Sequence, residues 1–291
     1  MNTEMKNRFN SNILNEAMSR FGIDKAKSIR DRGFTNYIYE YKKNNNNFIE
    51  KISDSYGNDF IATSFVKAKG HSPWDKKYLC TEEEFANIYG NTVGKLHNLT
   101  KKYNTDYLTE LRPDWNNPQD LKICDYIPGN NRIIKDEYNN LIEYISKLPK
   151  TMNSYGLIHG DMKKDNFFID SDNNITVYGF DGCHYNWFID ELAWIFFRYI
   201  PENNYIPPET FIAQFLMGYT KENKLDPYWL KEIKYFLKLK EILFYALAFK
   251  AFDKLENMPL KSKKYMCKRE EKIINDIPYI NIEFEKFTKY L

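Results

Sequence analysis

Apolar positions in this chain recur at helical spacing through most of the second half and cluster in short runs in the first. Residues 10–21 place Ile13, Leu14, Ala17, Met18 and Phe21 on one face, with Asn10 or Ser11 to cap and Gly22 to stop, which predicts a short helix. Three strand-like runs follow at 37–41, 48–53 and 60–66, the first two joined by an asparagine-rich loop at 44–47. Thr81-Glu-Glu-Glu84 reads as a capping box. The helix behind it, to about residue 99, carries Phe85, Ile88, Tyr89, Val93, Leu96 and Leu99 as its stripe. His97 falls on that helix and is expected to be a buried, hydrogen-bonded structural residue. Residues 104–132 are rich in loop formers. A helix at 135–148 then turns Leu141, Ile142, Ile145 and Leu148 inward. Beyond 190 the pattern is helical: 191–199, 209–221, 227 to about 255, a helix opening at Pro259, and 280–290.

Between those helices the period changes. Two apolar runs, 167–169 and 175–178, flank Asp170-Ser-Asp-Asn-Asn174, which predicts a hairpin. Polar residues crowd its mouth: His159, Asp161, Lys163, Lys164, Asp165 and Asn166 before it, Asp181 after it. Phosphoryl transfer needs a hydroxyl held in line, a group to take its proton and a cation to neutralise the phosphate. Asp161 suits the proton and the Asn166 amide oxygen suits Mg²⁺, at the Asp-x-x-x-x-Asn spacing that protein kinases use. On an extended strand Gly179 and Asp181 share a face, about 6.6 Å apart at roughly 3.3 Å per residue.

His159-Gly-Asp-Met-Lys-Lys-Asp-Asn166 resembles the catalytic loop of the aminoglycoside phosphotransferase and choline kinase-like family, in particular its homoserine-kinase-like bacterial branch. The Tyr-Gly-Leu-Ile before the loop, the Asn-Phe-Phe that ends it, Trp187-Phe-x-x-x-Leu-Ala193, Gly94-x-Leu-His97 and Phe215-Leu-Met-Gly-Tyr219 resemble that family too. The resemblance implies an α+β, two-lobed, protein-kinase-like fold: a small antiparallel-sheet lobe over 1–70 that includes the hinge, and a large helical lobe over 71–291. It implies ATP (or GTP) and Mg²⁺ as cofactors and a small-molecule hydroxyl as acceptor. It implies Asp161 as base, with His159 bracing the loop. Lys51, Gly33 and Asn36 would lie along the nucleotide phosphates, Asn166 and Asp181 at the metal, and Glu191 would hydrogen-bond the loop. The chain departs from the family twice. Where the family has Asp-Phe-Asp-Asp, beginning with a metal ligand, this chain has Gly179-Phe180-Asp181-Gly182. Only eight residues separate Lys51 from Phe60, which is room for a turn but not for the helix whose Glu pairs with that Lys. These departures give an alternative expectation: a catalytically impaired relative that binds a nucleotide or small molecule without efficient turnover.

Composition narrows this little. A hydrophobic content of 43% and an aromatic content of 17% mark a globular chain. The 42 basic and 40 acidic residues leave a net charge of +2, which argues neither for nucleic acid nor for an anionic membrane. Cys80, Cys124, Cys183 and Cys267 are too scattered for a metal site or a disulfide framework, so reduced thiols in a cytoplasmic protein are expected.

Overall fold

The structure is a computed structural model, and it describes residues 11–28, 39–41, 49–75, 80–103, 112–117, 122–129, 131–202 and 205–291. Gly33 and Asn36 lie outside the described residues. The chain divides into two compact units, Met1–Lys69 and Gly70–Leu291.

In the first unit, helix α1 (Ser11–Phe21) packs on strand β3 (Ile49–Ser53), which pairs antiparallel with β4 (Asp59–Thr63). Ile13, Phe21 and Ile52 are its buried apolar residues among those described. A second antiparallel pair joins β1 (Ala26–Ser28) to β2 (Tyr39–Tyr41). The sequence pattern misses β1, whose Ala-Lys-Ser carries no apolar alternation. The segment between β3 and β4 is a turn with no helix: the Asp54 carboxylate accepts from the N–H groups of Tyr56 and Asn58 at 2.9 and 2.8 Å. Lys51 is not left alone. Its ammonium lies 2.8 Å from Asp59 on the neighbouring strand, and the Lys51 hydrogen bond, then that of Ser53, holds the Asp59 carboxyl low. Strand β4 ends at Thr63, short of the expected 66.

The second unit is helical around two short sheets. Helix α2 (Glu82–Thr100) starts on the full Thr81–Glu84 capping box. It crosses α5 (Pro208–Tyr219) closely, at glycines on both helices. Leu99 is 67% exposed and off the buried stripe, because, two residues past the fully buried His97, it lies about 200° round the helix on the outer face. Helix α3 (Arg132–Ser146) buries Ile134, Tyr138, Leu141 and Ile145. Strands β6 (Phe167–Ile169) and β7 (Ile175–Val177) form the predicted hairpin in register Phe167↔Val177, and His71 extends it by pairing with Ile169. Strand β5 (Tyr155–Ile158) pairs with β8 (His184–Trp187), which runs directly into α4 (Phe188–Tyr199). Helices α6 (Tyr228–Phe252) and α7 (Leu260–Ile274) complete the unit, and the final element is a 3-10 turn, Phe284–Tyr290, rather than an α-helix. The core is dense in aromatics: Phe85, Tyr89, Phe167, Trp187, Phe196, Phe215 and Phe236 are all 1% exposed or less. No helix among the described residues is long and apolar enough to cross a membrane.

Candidate active site

The loop between β5 and β6 is held from beneath. Gly160 sits at φ +76, and a Cβ there would lie 2.1 Å from the Gly182 carbonyl oxygen, so only glycine lets the loop pass under the start of β8. Glu191, in the first turn of α4, is 1% exposed. Its Oε2 accepts from the His159 N–H at 3.1 Å and its Oε1 from the Gly160 N–H at 2.8 Å. The neighbouring Asp190 is equally buried and pairs with Lys240 at 2.6 Å, so the acidic pair is not a solvated helix start.

Glu191 belongs to a longer chain of donors. Its Oε2 lies 2.9 Å from His97 Nε2, and His97 Nδ1 lies 2.9 Å from the Tyr219 hydroxyl. Asn223 donates to that hydroxyl at 2.6 Å. A carboxylate only accepts, so His97 Nε2 carries a proton and donates it to Glu191. Burial pushes the Glu191 carboxyl up, but the His97 hydrogen bond, then the nearby His97 and His159 rings and the His159 N–H, outweigh it and hold it below its ordinary 4.5. His159 is fixed in the same way. The Asp161 N–H donates to its Nδ1 at 3.3 Å, so Nε2–H donates to the Tyr178 carbonyl at 3.0 Å. With both ring nitrogens on backbone and 2% exposure, His159 shapes the loop and is not placed to exchange protons with a substrate.

Asp161 projects from this frame. Its Oδ2 accepts from Asn166 Nδ2 at 2.9 Å and pairs with Lys163 Nζ at 2.7 Å. Asn166 Nδ2 also donates to the Asp161 carbonyl at 2.7 Å. Oδ1 of Asp161 has no partner among the described residues. The rest of the loop is anchored by aromatics: Tyr89 donates to the Met162 carbonyl at 3.0 Å, Trp74 to Asp165 at 2.9 Å, and the Lys164 ammonium lies 4.2 Å from the Tyr199 ring and 4.8 Å from that of Trp74. None of these aromatic anchors is marked by the sequence pattern, since each reaches the loop from a distant helix or turn.

The far side of the hairpin departs from expectation. Strand β7 ends at Val177, and Gly179 adopts φ +81 and ψ +43 ahead of a 3-10 turn at Phe180–Gly182. Residues 179 and 181 therefore do not share a strand face. Asp181 is exposed on the turn, and no hydrogen bond or ion pair links its carboxylate to Asp161 or Asn166. A Cβ at 179 would stand 3.1 Å from Asn166 Oδ1, so position 179 and the asparagine oxygen face one space.

A family model described as the phosphotransferase enzyme family matches residues 48–232, well over half of the chain. The chain belongs to the phosphotransferase enzyme family. Amicoumacin kinase of Bacillus subtilis (strain 168) is 29% identical to this phosphotransferase over 242 residues, 81% of this chain and 70% of the relative. Among solved structures, a complex of the amicoumacin kinase hAmiN with AMP-PNP, Ca²⁺ and Ami superposes with a TM-score of 0.72 at 24% identity, over 98% of this chain and 83% of that one. A choline/ethanolamine kinase family protein from Mesorhizobium loti gives 0.54 at 12% identity, over 96% and 99%. The likeness fixes the fold of this phosphotransferase as the α+β, protein-kinase-like one.

The residues present do not make up the two-ligand metal site that the resemblance implies. Asn166 Oδ1 is one suitable oxygen, but the space it faces holds no carboxylate at 179, and Asp161 Oδ2 is already occupied by two donors. Among the described residues no three His, Cys, Asp or Glu side chains gather. Mg²⁺ bound through protein and phosphate draws on one or two carboxylates at about 2.1 Å.

Proposed function

We propose that this chain transfers the γ-phosphate of a nucleoside triphosphate, ATP or GTP, to a hydroxyl of a small molecule. The observation that carries this reading is the state of Asp161: one carboxylate oxygen held by Asn166 and Lys163, the other without a partner among the described residues. A carboxylate fixed in this way offers one oxygen to the acceptor. The acceptor hydroxyl gives its proton to Oδ1 as its oxygen attacks the γ-phosphorus, and the nucleoside diphosphate leaves with the old bond's electrons. The buried Glu191–His97–Tyr219 chain holds the loop backbone, so the carboxylate does not have to be ordered by the substrate. Lys51 would lie along the nucleotide phosphates, released for that role from Asp59, together with Gly33 and Asn36. A nucleoside triphosphate donor places the reaction in the cytoplasm. The relatives' names point to amicoumacin and amino alcohols as acceptors to try first.

The test is consumption of ATP and GTP with a panel of amino alcohols, hydroxy amino acids, aminoglycosides and amicoumacin. Asp161→Ala is expected to lose at least about a hundredfold in turnover, the scale of a missing general base, with folding unchanged. An active preparation that keeps its turnover in Asp161→Ala would remove Asp161 from the role.

A second reading has its own observation. With no side chain at 179, charge on the phosphate is less well met, and the chain then binds without efficient turnover. Gly179→Asp is expected to raise turnover and to make it depend steeply on Mg²⁺. Full activity of the natural sequence, with a loss in Gly179→Asp, would reject this second reading.

A further inference from the structure

The two lysines that follow Asp161 are used differently. The Lys164 ammonium is stacked on the rings of Tyr199 and Trp74 and ties the loop down. Lys163 reaches Asp161 Oδ2 at 2.7 Å, with its side chain 26% exposed. An ammonium has three N–H donors. The Asp161 contact uses one, and Asn166 already serves the same oxygen. Two donors and a full positive charge are thus held one carboxylate away from the oxygen that would receive the acceptor's proton.

Charge balance at this place is unusual for a site meant to hold phosphate through a metal. A carboxylate at 179 would add a second negative charge, and a divalent ion would then be needed before any phosphate approached. Gly179 removes that charge, Asp181 stands apart on its exposed turn, and Lys163 neutralises Asp161. The space beside Asn166 Oδ1 thus lacks the carboxylate that residue 179 would have brought, and the carboxylate of Asp161 is paired. We infer that this chain binds the terminal phosphates of a nucleotide through Lys163, with little dependence on a divalent ion. The inference rests on the reading of the Asp161–Asn166 loop as a phosphoryl-transfer site. It makes Lys163 a phosphate-binding residue.

The experiment is titration of the full chain with a fluorescent ATP analogue, in buffer with Mg²⁺ and in buffer with EDTA. The natural sequence is expected to change its Kd by less than about threefold between the two buffers. Lys163→Met should weaken binding about tenfold or more in EDTA, the size of a lost charge-assisted hydrogen bond. Lys163→Arg, which keeps the charge, should stay near the natural value and shows that any loss in the Met variant is not misfolding. Gly179→Asp should bind poorly in EDTA and recover with Mg²⁺. Binding by the natural sequence that collapses in EDTA, or that is indifferent to Lys163→Met, overturns the inference and leaves the phosphotransferase reading standing. Failure to bind in either buffer overturns both.

Discussion

Glu191 makes three hydrogen bonds with two oxygens, and that count decides what its replacement would do. In Glu191→Gln one end of the side chain becomes an NH₂ group. Whichever end it is then faces a donor: the Gly160 N–H at Oε1, or the His159 N–H and His97 Nε2–H at Oε2. The expected loss is about 2–3 kcal/mol, in the range for a hydrogen bond to a buried charged group, read from urea unfolding. Since the Glu191 carboxyl is depressed below 4.5, its contribution is present at neutral pH and is lost only as pH falls through the lower folded value. A variant as stable as the natural chain at pH 7 would mean the loop does not lean on this group. The residues of this site differ in how far sequence shows them. Asp161 and Asn166 stand out by spacing alone. Glu191 follows from the family pattern. Lys163 is present among the polar residues at the hairpin mouth, but nothing in a sequence says which of two adjacent lysines turns inward. The expected shared face of Gly179 and Asp181 fails because the period-two argument needs a strand, and the strand stops at Val177.

Elements are set against one another here by close approach and by buried ion pairs. A Cβ at Gly218 on α5 would lie 1.9 Å from the Asn87 carbonyl oxygen on α2. Gly218→Ala would gain about 1 kcal/mol of helix propensity. The helices would have to part, at about 1–3 kcal/mol for overpacking, and that clash with backbone wins. Net destabilisation in urea is expected, and a stabilised variant would show the crossing to be looser than the structure has it. Between α6 and α7, Glu241 lies 3.3 Å from Arg269, both 3% exposed by side chain. Burial pushes the Glu241 carboxyl up to about 7, against the pull of Arg269, Lys272 and Lys238. A folded value above the ordinary 4.5 means the folded state holds the proton longer, so stability falls as pH rises between about 4.5 and 7. Glu241→Gln should flatten that part of the profile in denaturation midpoints taken from pH 4.5 to 8. An unchanged slope would assign it to other groups. The long helices and the capping box are plain in the sequence because their signals are local. The β5–β8 pair is not, since its four-residue strands are separated by 25 intervening residues and meet only through the tertiary fold.

At the scale of the whole chain the two units are unequally supplied with core. Among the described residues, Met1–Lys69 buries Ile13, Phe21 and Ile52 as its apolar interior, whereas Gly70–Leu291 buries rings from α2, α4, α5 and α6 together. Local opening follows the density of buried apolar contact. Amide hydrogen exchange should therefore be slowest in 188–199 and 229–249 and clearly faster in 49–63, in the absence of nucleotide. Equal protection in the two units would contradict this. The short first unit was legible from the eight-residue gap after Lys51, because no helix fits there. Its Lys51–Asp59 pair was not, since strand register decides it and sequence leaves register open.

The left-handed backbone at Gly179 also bears on heredity. Asp is among the few L-residues that enter that region as single residues, and Gly and Asp codons ending in a pyrimidine differ at the second base alone. Where this codon ends so, one transition would set a carboxylate beside Asn166 Oδ1, at the cost of a left-handed non-glycine residue and of a small shift of Asn166, 3.1 Å from the new Cβ. A second metal ligand is then within reach of ordinary laboratory selection, and the ion requirement of the selected variants, compared with their parent, would record the change.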